Sequence, residues 1–356
     1  MTSKRIVRAA AVQISPEFGP SDGTVAKVCQ AIADAAARGA QLAVFPETFV
    51  PYYPYFSFVL PPVAAGREHL KLYERAPTVP GPAVDAVAAQ AKAHGVVVVL
   101  GVNERDHGSL YNTQLIFDET GRLALKRRKI TPTYHERMIW GQGDAAGLKV
   151  VDTGIGRIGA LACWEHYNPL ARYALMAQHE EIHCSQFPGS LVGPIFAEQM
   201  EVTIRHHALE SGCFVVNATG WLSEEQIASV STDPALQKSA GRLLHGDRLA
   251  GRPALGGAVA GGRRHRRRDL DMSLITKRKR MMDSVGHYAR PELLSLRINR
   301  QAAAPLFSDP PGADAAALFS QPIPEGERMN RPMPAEFPTA GLVAELQSLG
   351  LRLEGE

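Results

Sequence analysis

Over most of the chain, short apolar runs alternate with stretches whose apolar positions recur at helical spacing. Residues 6–15 read as a strand. Residues 24–38 are Ala-rich with a helical period, and Ser21 or Asp22 stands ahead of them as a cap. Residues 41–45 read as a buried strand that ends at Pro46-Glu47, and 85–94 as a helix running into Gly95. The run 96–102 is rich in β-branched residues, as expected of a strand covered on both faces. Strands at 112–117 and 123–129 flank Asp118-Glu119-Thr120-Gly121, a hairpin signal. Further strands are expected at 149–152, 157–163, 181–187 and 213–217, and helices at 169–179 and 194–211. No repeat with a solenoid-like period is present. Strands alternating with helices predict an α/β fold, and the hairpins predict a mixed sheet. Beyond Arg300 the chain is rich in Pro and Ala, which reads as a tail, 301–356, packed on a surface or a partner subunit.

Composition narrows the class. At 356 residues, 45% hydrophobic and 21% charged, the chain can bury a large core and is not a disordered one. Residues 1–300 read as one domain. Four cysteines without regular spacing exclude a disulfide framework and a zinc ribbon. Cys29, Cys163, Cys184 and Cys213 read as reduced thiols of a cytoplasmic protein. Residues 1–15 lack an apolar signal-peptide core, and the longest strongly apolar run, 96–100, is far too short to span a bilayer. No membrane partner is therefore expected. The formal net charge of +3 misleads, because residues 241–268 hold eight arginines and one acid, Asp247. Removing those eight from the 39 bases and that one from the 36 acids leaves −4. The rest of the chain makes no case for nucleic acid.

Some signals imitate chemistry. Gly154-Ile155-Gly156-Arg157-Ile158-Gly159 fits a dinucleotide-binding pattern, but that pattern must open a helix. A strand follows here, so a tight hairpin turn is expected. His206-His207 lies mid-helix, where adjacent side chains diverge by about 100° and chelate one metal poorly. Neither a metal nor a cofactor is expected. The arginines at 263–268 imitate a basic nucleic-acid arm.

Three strand ends carry groups that fit together chemically. They are Phe45-Pro46-Glu47, the run Lys126-Arg127-Arg128-Lys129 leading to Tyr134-His135-Glu136, and Leu161-Ala162-Cys163-Trp164-Glu165. Ligand sites of α/β sheets collect at strand ends. A thiol acts as a nucleophile only as its thiolate, which a nearby lysine favours and a glutamate makes by taking the proton. Cys29, Cys184 and Cys213 have no such company and read as core residues.

With Phe45-Pro46-Glu47-Thr48, His135-Glu136-Arg137, Leu161-Ala162-Cys163-Trp164-Glu165-His166, Arg205-His206-His207-Ala208-Leu209-Glu210 and Asp283-Ser284-Val285-Gly286-His287-Tyr288, the chain resembles the nitrilase branch of the carbon–nitrogen hydrolase superfamily. It looks closest to bacterial arylacetonitrilases. The resemblance implies an α-β-β-α sandwich and a homo-oligomer built from dimers, often growing into spirals. It implies hydrolysis of a nitrile to a carboxylic acid and ammonia without a cofactor. Aliphatic nitrilases, cyanide-degrading enzymes and amidases of the same superfamily are the alternatives, with nucleic-acid binding through Arg263–Arg268 as the non-enzyme one. Cys163 would attack the nitrile carbon, Glu47 would be the general base, Lys129 would stabilise the tetrahedral species, and Glu136 would support positioning and proton transfer. Tyr53, Trp164 and His166, beside these groups, are the expected substrate contacts.

The resemblance fails at 239–268 and resumes at Asp269. Fifteen of the 28 residues from 241 to 268 are Gly or Arg, a composition unsuited to a buried strand. A permissible set of codons for 242–268, read one base later, yields GCYTAIVSPEGRHLGEPLREGEGIVVA. That peptide has a strand, a Pro-Glu-Gly turn and a second strand, as this part of a nitrilase has. Two compensating frame changes, in the gene or in its reading, account for the stretch.

Overall fold

Two sheets organise the chain, which a computed structural model describes over residues 5–189, 194–231, 258–260 and 266–302. Apart from residues 301 and 302, the expected tail lies outside the described residues, as does most of 239–268. The first sheet contains β1 (Ile6–Ala11), β2 (Leu42–Val44), β3 (Val97–Asp106), β4 (Ser109–Phe117) and β5 (Leu123–Arg128). The second contains β6 (Val151–Thr153), β7 (Gly156–Ala162), β8 (Ile182–Phe187), β9 (Phe214–Thr219) and β10 (Ala258–Ala260). A last strand, β11 (Arg266–Asp271), joins the first sheet, so the orders are β11-β1-β2-β3-β4-β5 and β10-β9-β8-β7-β6. The expected hairpin signals hold: β4 and β5 pair antiparallel around Asp118–Gly121, and Thr153 faces Gly156 where β6 turns into β7. The glycine pattern at 154–159 is thus a turn and a strand, with no helix behind it.

The side-chain alternation of each strand divides the core into layers. Val7, Ala9, Ala11, Leu42, Val44, Val97 and Val99 of the first sheet meet Ile158, Ala160, Ile182, Cys184 and Val216 of the second. The intervening residues of the first sheet, such as Ala43, Val98 and Leu100, point the other way. They pack on Val28 and Ile32 of α1 (Ser21–Ala37) and on Val84, Val87 and Ala91 of α3 (Pro82–His94). Between these helices in sequence lies α2 (Gly66–Arg75). Beyond the second sheet, α4 (Pro169–Met176) covers Leu161, and α5 (Pro194–Ser211) covers Val215. The result is the α-β-β-α sandwich. The run 96–102 is apolar throughout because both of its faces are covered.

Local differences have local causes. α1 begins at Ser21 itself, after Pro20, with no side-chain cap. β3 extends to Asp106 because its polar end pairs with Ser109–Asn112 in a second hairpin, a signal the hydrophobic pattern does not carry. Short helices α6 (Glu224–Val230) and α7 (Ser273–Lys279), like α2, were not expected.

Candidate active site

Four expected residues stand at the ends of these strands. Glu47 lies in the turn after β2, where Thr48 has a φ of 42°. Gly101 of β3 passes directly beneath that turn, and a Cβ there would collide with Thr48 N and Pro46 O. Lys129 follows β5 and continues its ladder, its N–H donating to Asn112 O at 2.7 Å. Glu136 sits in a one-turn helix, Tyr134–Met138, and its carboxylate accepts from Thr133 N at 2.7 Å. Cys163 ends β7 with a φ of 51°, a left-handed conformation that a non-glycine residue holds only under constraint.

The first three form one buried ionic cluster. Lys129 Nζ lies 2.8 Å from Glu47 Oε1 and 2.6 Å from Glu136 Oε2, with all three side chains excluded from solvent. Asn112 Nδ2 donates to Glu47 Oε1 at 2.7 Å, and the Tyr53 hydroxyl donates to Glu136 Oε1 at 2.7 Å. Glu47 Oε2 is buried and finds no partner among the described residues. Asn112 Oδ1 is a second buried acceptor left open there. Burial, and next the neighbouring carboxylate of Glu136, raise the Glu47 carboxyl to about 7, against the ammonium of Lys129. Burial works against the Lys129 charge, but Glu136 and Glu47 outweigh it and raise its pKa. Burial and then Glu47 push the Cys163 thiol well up, while Lys129 pulls it down. The thiol is therefore protonated at rest, beside a carboxylate that titrates near neutrality. Such a site can move a proton from thiol to carboxylate and stabilise negative charge with a fixed ammonium.

An ion pair holds the two halves together. Arg127 and Glu165, both buried, meet through two hydrogen bonds of 2.8 and 2.6 Å. The same carboxylate accepts from Ile130 N at 2.8 Å and Ala162 N at 2.9 Å, the residues after Lys129 and before Cys163. One carboxylate thus ties the lysine strand to the cysteine strand. Lys126 and Arg128 point elsewhere, to Glu104.

The three expected substrate contacts occupy different surroundings. Tyr53 is 2% exposed and borders a cavity of about 400 Å³ with Phe18, Tyr52, Tyr55 and Phe56. Trp164 is 40% exposed, stacks on Tyr167 at 5.4 Å, and borders another cavity, about 360 Å³, with Thr133, Tyr134 and Arg137. His166 is 1% exposed, with both ring nitrogens turned to protein atoms. Sequence reasoning did not single out Asn112 or the Arg127–Glu165 pair. The only signal was an amide and a guanidinium inside strand runs.

Cys184 and Cys213 are buried, and burial raises both thiols. Glu180 adds to this at both, and Lys279 works against it at Cys213. His206 is half exposed and His207 fully buried, as their divergence on α5 requires. Among the described residues no helix is long and apolar enough to cross a membrane.

Comparison with known proteins places this geometry. The carbon-nitrogen hydrolase family matches residues 8–244, more than half of the chain. A protein named Nitrilase from Paraburkholderia phymatum is 69% identical over 315 residues, covering 86% of this chain and 90% of the relative. A protein named Nitrilase 3, from an unknown prokaryotic organism, is 52% identical over 304 residues, covering 84% of this chain and 92% of its own length. Among solved structures, the C. elegans NitFhit protein superposes with a TM-score of 0.64 at 18% identity, over 85% of this chain and 70% of that one. That last likeness concerns the fold alone.

Proposed function

The chain belongs to the carbon–nitrogen hydrolase family and is a nitrilase, and from that premise we propose that it hydrolyses an arylacetonitrile through covalent adducts on Cys163. Glu47 takes the Cys163 proton, and the sulfur attacks the nitrile carbon. The carbon–nitrogen triple bond becomes a double bond, and the nitrogen takes a proton, giving a thioimidate. Water activated by Glu47 adds to that carbon. Lys129 stabilises the tetrahedral adduct, and ammonia leaves, giving a thioester. A second water releases the carboxylic acid and returns the thiol. Expulsion of the thiol from the tetrahedral adduct gives an amide instead. Glu136 fixes Lys129 and assists proton transfer. Two waters are consumed for each acid and ammonia formed.

The observation that carries this reading is the unpartnered Glu47 Oε2, a buried carboxylate oxygen beside a lysine and a thiol. For the aryl group, support comes from the cavity lined by Phe18, Tyr52, Tyr53, Tyr55 and Phe56, where each ring contact contributes on the order of 1 kcal/mol. A nitrile carbon set off by one sp3 carbon can bend toward the thiol more freely than one fixed to the ring. Exposed Leu170 on α4 and Ile195, Val202 and Leu209 on α5 support a homo-oligomer built from dimers. The test is ammonia release and product identity with phenylacetonitrile, mandelonitrile, benzonitrile, a short aliphatic nitrile and cyanide. Phenylacetonitrile is expected to turn over faster than benzonitrile, and Cys163→Ala is expected to release no ammonia from any of them. The reverse order sinks the substrate class, and an active Cys163→Ala sinks the nucleophile.

A further inference from the structure

Behind Cys163 lies a second buried polar cluster, separate from the lysine and its two carboxylates. The Cys163 carbonyl lies 2.6 Å from His166 Nδ1, and His166 Nε2 lies 3.0 Å from His183 Nε2. His183 Nδ1 lies 2.9 Å from Glu180 Oε2, and His207 Nε2 lies 2.6 Å from Glu180 Oε1. His183, Glu180 and His207 are fully excluded from solvent. Gly159 of β7 leaves room for the carboxylate, since a Cβ there would collide with Glu180 Oε2. The third glycine of the deceptive dinucleotide pattern has this packing role.

Protons decide how the cluster works. Its ends are acceptors, a carbonyl and a carboxylate, so each of the four contacts needs one hydrogen. Three neutral imidazoles supply three. The chain of contacts closes only with one more proton, held between His183 and its two neighbours. With that proton the buried cluster is electrically neutral, and without it an uncompensated carboxylate remains. Burial disfavours the Glu180 charge, but His183 and His207 outweigh it and hold the carboxyl well below its ordinary range. Burial also pushes His166 and His183 down, and the neighbouring imidazoles, Arg172 and Arg127 add to this. The added proton is therefore the first that the cluster loses as pH rises.

We infer that Glu180, His183 and His166 are positioning residues that lock the carbonyl of Cys163, and through it the left-handed backbone that presents the thiol. In the closed chain His183 donates to both Glu180 and His166 Nε2, which leaves His166 to donate Nδ1–H to the carbonyl. The inference rests on Cys163 being the nucleophile.

Glu180→Gln tests it, because the amide does without the added proton. Its NH₂ donates to His183 Nδ1 and its oxygen accepts from His207, so every contact closes with neutral imidazoles. Glu180→Ala and His183→Phe break the chain. Misplacing a reacting atom by about 1 Å costs on the order of a hundredfold. The expected result with phenylacetonitrile is a loss of that order in kcat for Glu180→Ala and His183→Phe, with KM little changed. Glu180→Gln is expected to recover that loss, with kcat at least that of wild type, because it closes every contact without the added proton. Glu180→Gln as impaired as Glu180→Ala, or His183→Phe with full kcat, overturns the inference. Should the two disruptive variants not fold, Glu180→Gln decides alone: a folded variant with kcat far below wild type overturns it. Cys163→Ala assayed alongside separates the readings, since its activity would remove the nucleophile whatever the relay does.

Discussion

Exchanging residues 242–268 for the second-frame peptide is expected to raise soluble yield, melting temperature and activity together. We propose that this peptide is what the sheet edge was built to hold, and the register of β11 supplies the argument. Ala11 faces Arg266, Ala10 faces Arg267, Ala9 faces Arg268 and Val7 faces Leu270. Directly opposed residues of an antiparallel pair share a face. Val7, Ala9 and Ala11 belong to the layer between the sheets, with Leu270 and Met272, whereas Ala10 belongs to the layer under α1. Arg268 is exposed although its register position is shared with core residues on either side in the alternation. The second frame makes the changes Arg266→Val, Arg267→Val and Arg268→Ala. Each valine contributes about 1.5–3 kcal/mol on burial, so the pair contributes roughly 3–6 kcal/mol, against a typical total of roughly 5–15 kcal/mol. The catalytic candidates all lie outside the segment, so activity per folded molecule is expected to stay constant while the folded fraction rises. Thermal melting, soluble yield and ammonia release from phenylacetonitrile measure the three effects. If the source DNA confirms the given frame, and the segment resists trypsin despite its arginines, the stretch is an ordered feature and the reasoning is wrong.

The activity profile is expected to fall on the acid side with a midpoint near the Glu47 value of about 7, because the base must be ionised to take the thiol proton. Glu136→Gln removes a charge that raises Glu47, so any residual activity should show that limb displaced to lower pH; an unmoved limb would assign it to another group. Gly101→Ala is expected to cost both stability and activity, because its new methyl meets the backbone of Pro46 and Thr48 on either side of Glu47. A kcat near wild type for that variant would show that the turn yields without moving the carboxylate.

How much of this was legible in the sequence follows from what periodicity can encode. Burial on both faces writes itself into runs such as 96–102, and a hairpin writes itself into Asp118–Gly121, so the α/β alternation and the mixed pairing were readable, while the sandwich itself came from the family resemblance. The groups at three strand ends were readable too, because strand ends are where an α/β sheet gathers chemistry. What joins them was not. Glu165 reads as one more carboxylate in a motif, yet besides its near neighbour Ala162 its oxygens accept from Arg127 and Ile130, partners brought to it only by the packing of one sheet on the other. The buried imidazoles failed for the same reason. His183 and His207 stand on different elements, and Glu180, just ahead of a strand, looks like an ordinary solvated cap until the sandwich closes over it.

The two buried clusters also set stability against activity. The folded-state value of Glu47 is raised from 4.5 to about 7, so burial favours its neutral form. Its contribution to stability is fully present below the unfolded value and is lost as pH rises through about 7. That is the range in which the general base becomes competent. Glu180 has the opposite sign: its folded value is lowered, so its contribution is present above the ordinary 4.5 and is lost as pH falls through the folded value. Glu180 therefore stays ionised, and keeps its contribution, across the range in which Glu47 gains the charge it needs and the fold gives up the stability of keeping it neutral. A nucleophile turn built against a buried carboxylate that is already ionised can tolerate that loss, because this carboxylate does not take part in the proton transfer that catalysis needs.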